Sequence, residues 1–175
     1  MSGSSASDKI RAIETEIKAY VKGHFGADID GVPWQLINGL NGQPGLYINF
    51  EKINKFTKGY WETNFTKVSA TMPAVPTVLV DTGVPDRAGT LWMGVLFHEY
   101  GHAAMDKLGK NSEPAAYTVE LLSLYEHVKT NSSAADKVKI FVKDRRKNKQ
   151  YSGFLAGYEE QAKSAYSALA GQAFV

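Results

Sequence analysis

The chain contains no cysteine in 175 residues. That excludes disulfides, thiolate nucleophiles, iron–sulfur clusters and cysteine-ligated zinc, so any transition metal must be held by His, Asp or Glu. Charge of one sign is also lacking, with 20 Lys and Arg against 18 Asp and Glu. No global attraction to nucleic acid follows from so even a balance. Long apolar runs are missing too: the longest, Leu91 to Phe97, falls far short of the ~20 residues that span a bilayer, so no membrane partner is expected. The start, MSGSSASDKIRAIETEIKAY, has no apolar stretch of the secretory kind. The expectation is a cytoplasmic protein, or one exported by a signal-less route, with residues 1–7 as a disordered leader or cloning remnant.

What is present is ordinary globular composition, 43% hydrophobic and 22% charged. The length fits one domain over residues 1–175, large enough to bury roughly 70% of its unfolded surface. Ser7-Asp8 can cap a first helix, in which Ile10, Ile13, Ile17, Tyr20 and Val21 recur at helical spacing up to Gly23. Residues 26–46 are rich in Gly, Asn, Pro and Asp, predicting turns and a loop around Val32-Pro33-Trp34. Leu46 to Phe50 and Thr77 to Val80 read as strands, while the aromatic, Thr-rich stretch from Phe56 to Val68 reads as strand or loop. Helices follow over Leu91–Leu108, from Ser112 to about Lys129, from Asp136 to about Lys147, and from about Phe154 to Leu169. The fold class is α+β, with a short sheet in the N-terminal half and a helical C-terminal half.

The chemistry sits in His98-Glu99-Tyr100-Gly101-His102. Two histidines four apart share one helical face, so both imidazoles can bind one ion. The glutamate between them lies close enough to reach a water on that ion without ligating it. That is the geometry of a metal hydrolase, in which the carboxylate takes the proton of an activated water. Val95, Leu96 and Phe97 before the motif and Ala103 and Ala104 after it make the helix apolar nearly all round, hence buried. Ionisable groups on a buried helix are costly without partners, and a metal supplies them.

HEYGHAA within LWMGVLFHEYGHAAMD resembles the active-site helix of HExxH zinc metallopeptidases. The downstream glutamates make it most similar to the gluzincin clan, which includes thermolysin and the anthrax lethal factor. The resemblance covers Leu91 to Tyr125. It implies a small zincin-like domain, a bound Zn2+, His98 and His102 as ligands, Glu99 as general base, and hydrolysis of a protein or peptide substrate. It also implies a third ligand, a glutamate on the next, antiparallel helix, for which Glu113 and Glu120 are the candidates. Helical rise favours Glu120: the metal level lies about nine residues, or ~13 Å, above the end of the first helix, matching a point near residue 121 on a helix returning from Ser112. Glu113 is the alternative, although Ser112 followed by an acid and a proline is also ordinary helix-start chemistry. The aspartate often found four residues after the ligand is Leu124 here, a departure from the family pattern. In this clan an edge strand beside the active helix takes up extended substrate, and Thr77–Val80 is the strand expected there.

A peptidase also needs a donor for the developing oxyanion. Tyr117, His127, Tyr151, Tyr158 and Tyr166 are candidates, with Tyr117 and His127 nearest Glu120 along the chain. Asp106, one turn past His102, is too far along the helix to share the ion and reads as a surface charge. The basic cluster Lys143 to Lys149 reads first as a solvated helix end. The expected function is thus a zinc-dependent endopeptidase, of effector, toxin or housekeeping type. The rivals are a non-catalytic zinc-containing binding module and a protease recruited to nucleic acid through residues 143–149.

Overall fold

The computed structural model describes residues 5–40, 42–52, 55–65, 72–84, 86, 90–147 and 155–174, with main chain only at 55–57, 64 and 65. Helix α1, Ala6–Phe25, buries Ile10, Ile13, Ile17 and Val21, the stripe its sequence spacing predicts. It starts earlier than expected. Ser5, not Ser7, is the cap: its hydroxyl accepts from Asp8 N while Asp8 accepts from Ser5 N. Residues 5–7 therefore belong to the helix start rather than to a leader.

Strands β1 (Trp34–Ile37), β2 (Gly45–Ile48) and β3 (Thr77–Asp81) form one sheet in the order β1-β3-β2. β1 runs parallel to β3, with Trp34 opposite Val78, and β2 runs antiparallel to it, with Gly45 opposite Val80. Two expectations change here. Trp34 opens a strand instead of a loop, and Thr77–Val80 is the fully buried centre of the sheet, not its edge. The edge is β2.

Between β2 and β3, α2 spans Lys55–Phe65, a helix where the sequence suggested strand or loop; Val68 lies outside the described residues. Packing overrides local preference there, since Trp61 sits edge-on to Phe50 at 5.5 Å and joins Ile37, Leu40 and Leu79 beneath the sheet. On the other sheet face, Val78 and Val80 join the main core with α1 and with α3, Trp92–Lys107. A short loop leads to α4, Glu113–Thr130, which packs along α3. Helix α5, Ala135–Arg145, follows a 3₁₀ turn at Ser132–Ala134, and α6, Glu159–Ala170, covers α4 and α5. The last helix thus begins at Glu159; Tyr151 and Phe154 lie outside the described residues. Among the described residues no helix is long and apolar enough to cross a membrane.

Candidate metal centre

Helix α3 is apolar on nearly every side because it is enclosed by α1, the sheet and α4. It passes close to α4 at Gly101, where a Cβ would stand 3.0 Å from Ala116 O and 3.1 Å from Val119 Cβ. Glycine lets the two backbones nearly touch, and this sets the level at which α4 passes the motif. His98 and His102 face the resulting cleft, ring centroids 4.8 Å apart and planes perpendicular.

The turn after α3 decides the rest. Gly109 adopts φ 68°, and Lys110 N donates to Met105 O at 2.8 Å, closing the helix end. Residues 110–112 are not helical, and Asn111 reaches the level of His102, its Oδ1 2.7 Å from His102 Nδ1. Ser112 then caps α4 by accepting from Ala115 N. Glu113, the first residue of α4, consequently meets both imidazoles. Its Oε2 is 3.3 Å from His98 Nε2 and its Oε1 is 3.2 Å from His102 Nε2.

His98, His102 and Glu113 are the described residues whose ligand atoms gather within 4.8 Å, a group that could hold a metal ion. Tetrahedral zinc with bonds of about 2.0–2.1 Å requires ligand atoms about 3.3 Å apart, and each Nε2 stands at about that distance from a Glu113 oxygen. Each Nδ1 is turned away toward a partner of its own, Glu120 for His98 and Asn111 for His102. Those partners favour the tautomer that leaves both Nε2 lone pairs free for a metal.

Glu120 thus stands elsewhere than helical rise suggested. It is fully buried behind His98, with Oε2 3.1 Å from Nδ1 and Oε1 3.4 Å from Arg145 Nε. The loop does not stay at the end of α3: residues 110–112 climb, Asn111 reaching His102, and carry Glu113 up to the histidines. Burial alone would push the His98 imidazole down in pKa. The Glu113 and Glu120 carboxylates outweigh it and raise the group to about 9 in the metal-free chain. Glu113 moves the opposite way, held below the usual carboxylate range chiefly by its hydrogen bond with His98.

Glu99 points to the sheet side of the same cleft. Its Oε2 accepts from Tyr47 N at 2.8 Å, and a Cβ on Gly45 would lie 3.0 Å from its Cγ. Pro44 O accepts from Asp81 N, so the alternation of an antiparallel ladder turns the main-chain groups of Gly45 and Tyr47 away from β3 and toward the cleft. The cleft encloses about 440 Å³, with residues 43–47 on one wall and Asn111, Glu113, Tyr117 and Arg145 on the other.

Of the candidate donors, Tyr117 is in the cleft, its ring 4.4 Å from that of His98. Burial raises its phenol, Arg145 pulls against that, and Glu120, Glu113 and Glu99 add to the rise, so the hydroxyl stays protonated. His127 is not brought there: it lies two turns beyond Glu120 and bonds Glu16 of α1 at 2.8 Å. Tyr158 packs on His24 and Phe25, Tyr166 is buried against Phe174, and Tyr151 lies outside the described residues.

Two residues carry more than their sequence reading allowed. Asp106 is no loose surface charge: its carboxylate accepts from Tyr47 Oη, Asn49 Nδ2 and Lys52 Nζ. Arg145 breaks up the basic cluster by turning inward, where it lies over the Phe141 ring at 4.9 Å and pairs with Glu120. The clue was spacing: Val138, Phe141 and Val142 form the buried stripe of α5, and Arg145 continues it. Asn111 had no sequence signal, because its role depends on how the loop climbs. Asn148 and Lys149, the end of the basic cluster, lie outside the described residues.

No known protein family, curated protein or solved structure matches this chain. What the cleft can do follows from its own groups: two imidazoles and a carboxylate converging on one point, a second carboxylate beside them, and an outward-facing strand edge.

Proposed function

We propose that this chain is a zinc-dependent endopeptidase of gluzincin type, with His98, His102 and Glu113 as ligands and Glu99 as general base. The observation that carries this reading is the paired arrangement of the histidines. Both Nε2 atoms face one carboxylate at 3.2–3.3 Å, while Nδ1 of His98 lies 3.1 Å from Glu120 and Nδ1 of His102 lies 2.7 Å from Asn111. A zinc ion held there supplies Lewis acidity, which makes water acidic and polarises a carbonyl at neutral pH.

The chain's own groups supply the remainder. Glu99 has one oxygen engaged by Tyr47 N, and its Oε1 is left to take a proton from the attacking water and pass it to the departing amine. The Tyr117 hydroxyl, protonated and in the cleft, is a donor for negative charge that develops on the carbonyl oxygen. An extended peptide can pair with the outward main-chain groups of β2, at Gly45 and at Tyr47 C=O, which gives backbone recognition without demanding a sequence. An edge strand lying along the motif helix, with a ligand helix on the other side, supports a zincin-like domain. Glu99 also weighs against a purely structural zinc site, which needs ligands but no base.

The test uses purified protein loaded with zinc and denatured casein as probe. Glu99→Gln should keep about one zinc per chain by elemental analysis and lose casein cleavage by about a thousandfold or more, as expected for a group acting only in the transition state. Cleavage surviving that change would refute the mechanism, and failure of the unaltered protein to take up zinc would refute the site.

A further inference from the structure

The geometry points to β2 as the part that aims the base: the Tyr47 main-chain amide is the positioning group for Glu99, and Gly45 is the residue that allows it. This rests on Glu99 being the base of the peptidase proposed above, but the contact itself can be tested without activity.

Three contacts fasten β2 along one stripe of α3. Gly45 lies against Val95 and Glu99 so closely that a Cβ would stand 2.7 Å from Val95 Cγ1 and 3.0 Å from Glu99 Cγ. Tyr47 N donates to Glu99 Oε2 at 2.8 Å. Further along, the Tyr47 hydroxyl donates to Asp106 at 2.9 Å, and Asn49 and Lys52 bond the same carboxylate. The strand edge therefore does not drift over the cleft; it is pinned at both ends of the motif.

A main-chain donor suits this task. A side-chain donor can swing away, whereas this amide is fixed by the ladder between β2 and β3. Hydrogen bonding to one carboxylate oxygen fixes the plane of the group and leaves the other oxygen for proton transfer. It also means that the Tyr47 amide is not offered to substrate. An extended chain on this edge would find Gly45 N–H, Gly45 C=O and Tyr47 C=O, so recognition by the strand stops at the base.

Two measurements test the inference. First, amide hydrogen exchange is followed by NMR on metal-free protein and on Glu99→Ala. An edge-strand amide facing a cleft exchanges fast unless bonded, so Tyr47 N–H should exchange about tenfold faster in Glu99→Ala while Leu79 N–H in the central strand is unchanged. Equal Tyr47 exchange in the two proteins overturns the contact. Second, Gly45→Ala is loaded with zinc and tested on denatured casein. It should retain zinc and lose kcat about tenfold with KM changed less than about threefold, the mark of a misaimed base. A kcat within about threefold of the parent overturns the role. If unaltered protein neither binds zinc nor cuts casein, the peptidase reading fails, while the exchange result still decides the contact.

Discussion

Gly101→Ala is a single added methyl group whose consequences the structure sets in numbers. Its Cβ would stand 3.0 Å from Ala116 O, 3.1 Å from Val119 Cβ and 3.3 Å from Ala116 Cα. Two of these three atoms are backbone, so no flexible side chain can yield, and α4 must retreat from α3. Overpacking of this kind costs about 1–3 kcal/mol. Exchanging glycine for alanine inside a helix returns about 1 kcal/mol of propensity. The net expectation is a loss of about 1 kcal/mol, or about 2–4 °C in Tm for a chain of this size. The effect on metal should be larger than the effect on folding. Ligand atoms must keep their places to within about 0.2 Å, and His98 and His102 lie on one helix while Glu113 lies on the other. Separating the helices by a few tenths of an ångström should therefore weaken zinc by about tenfold or more. Calorimetric melting of the metal-free variant and competition with a chromophoric chelator measure the two effects. A raised Tm with unchanged zinc affinity would show propensity alone at work, and would refute close contact between the helices.

Two other outcomes follow from the same site. Glu113→Ala should abolish tight zinc binding, whereas Glu120→Gln, which changes only the group behind His98, should weaken it by about 10–100-fold; the reverse order in chelator competition would make Glu120 the ligand. The metal-free protein should lose stability at alkaline pH. His98 is raised from the ordinary 6.5 to about 9, so the folded state holds its proton more tightly than the unfolded chain. That contribution is full below pH 6.5 and disappears as pH rises through about 9, and a metal-free melt with the same Tm at pH 6 and pH 9.5 would contradict it.

Local signals in the chain carried α3 and α4 well. Dense apolar residues around HEYGH gave a buried helix, and Ser112 with Pro114 marked the next start. The rest depended on contacts between distant residues. No local pattern says that Thr77–Asp81 lies between two strands and Gly45–Ile48 at the edge, because pairing partners lie more than 25 residues apart in sequence. Helix α2 was hidden because its aromatic and Thr content resembles a strand until Trp61 finds Phe50. Two glutamates were within reach of the histidines in sequence, but seeing that Glu113 is the one that meets both required the path of residues 108–112. Rise along ideal helices cannot supply that path, since a left-handed Gly109 redirects the chain.

The separation of parts along the chain has a consequence for how the protein matures. His98, His102 and Glu113 lie within 16 residues on two neighbouring helices, so the contacts that gather them close a short loop. The Tyr47 amide that holds Glu99 lies 52 residues away and is placed only when the sheet is assembled, with β1 parallel to β3 across a long crossover. Local contacts form sooner than distant ones. On the function proposed above, a newly made chain would acquire its metal pocket before it could aim its base. Nascent or partly unfolded copies would then bind the ion while being poor at cutting their neighbours, a delay written into the order of the sequence.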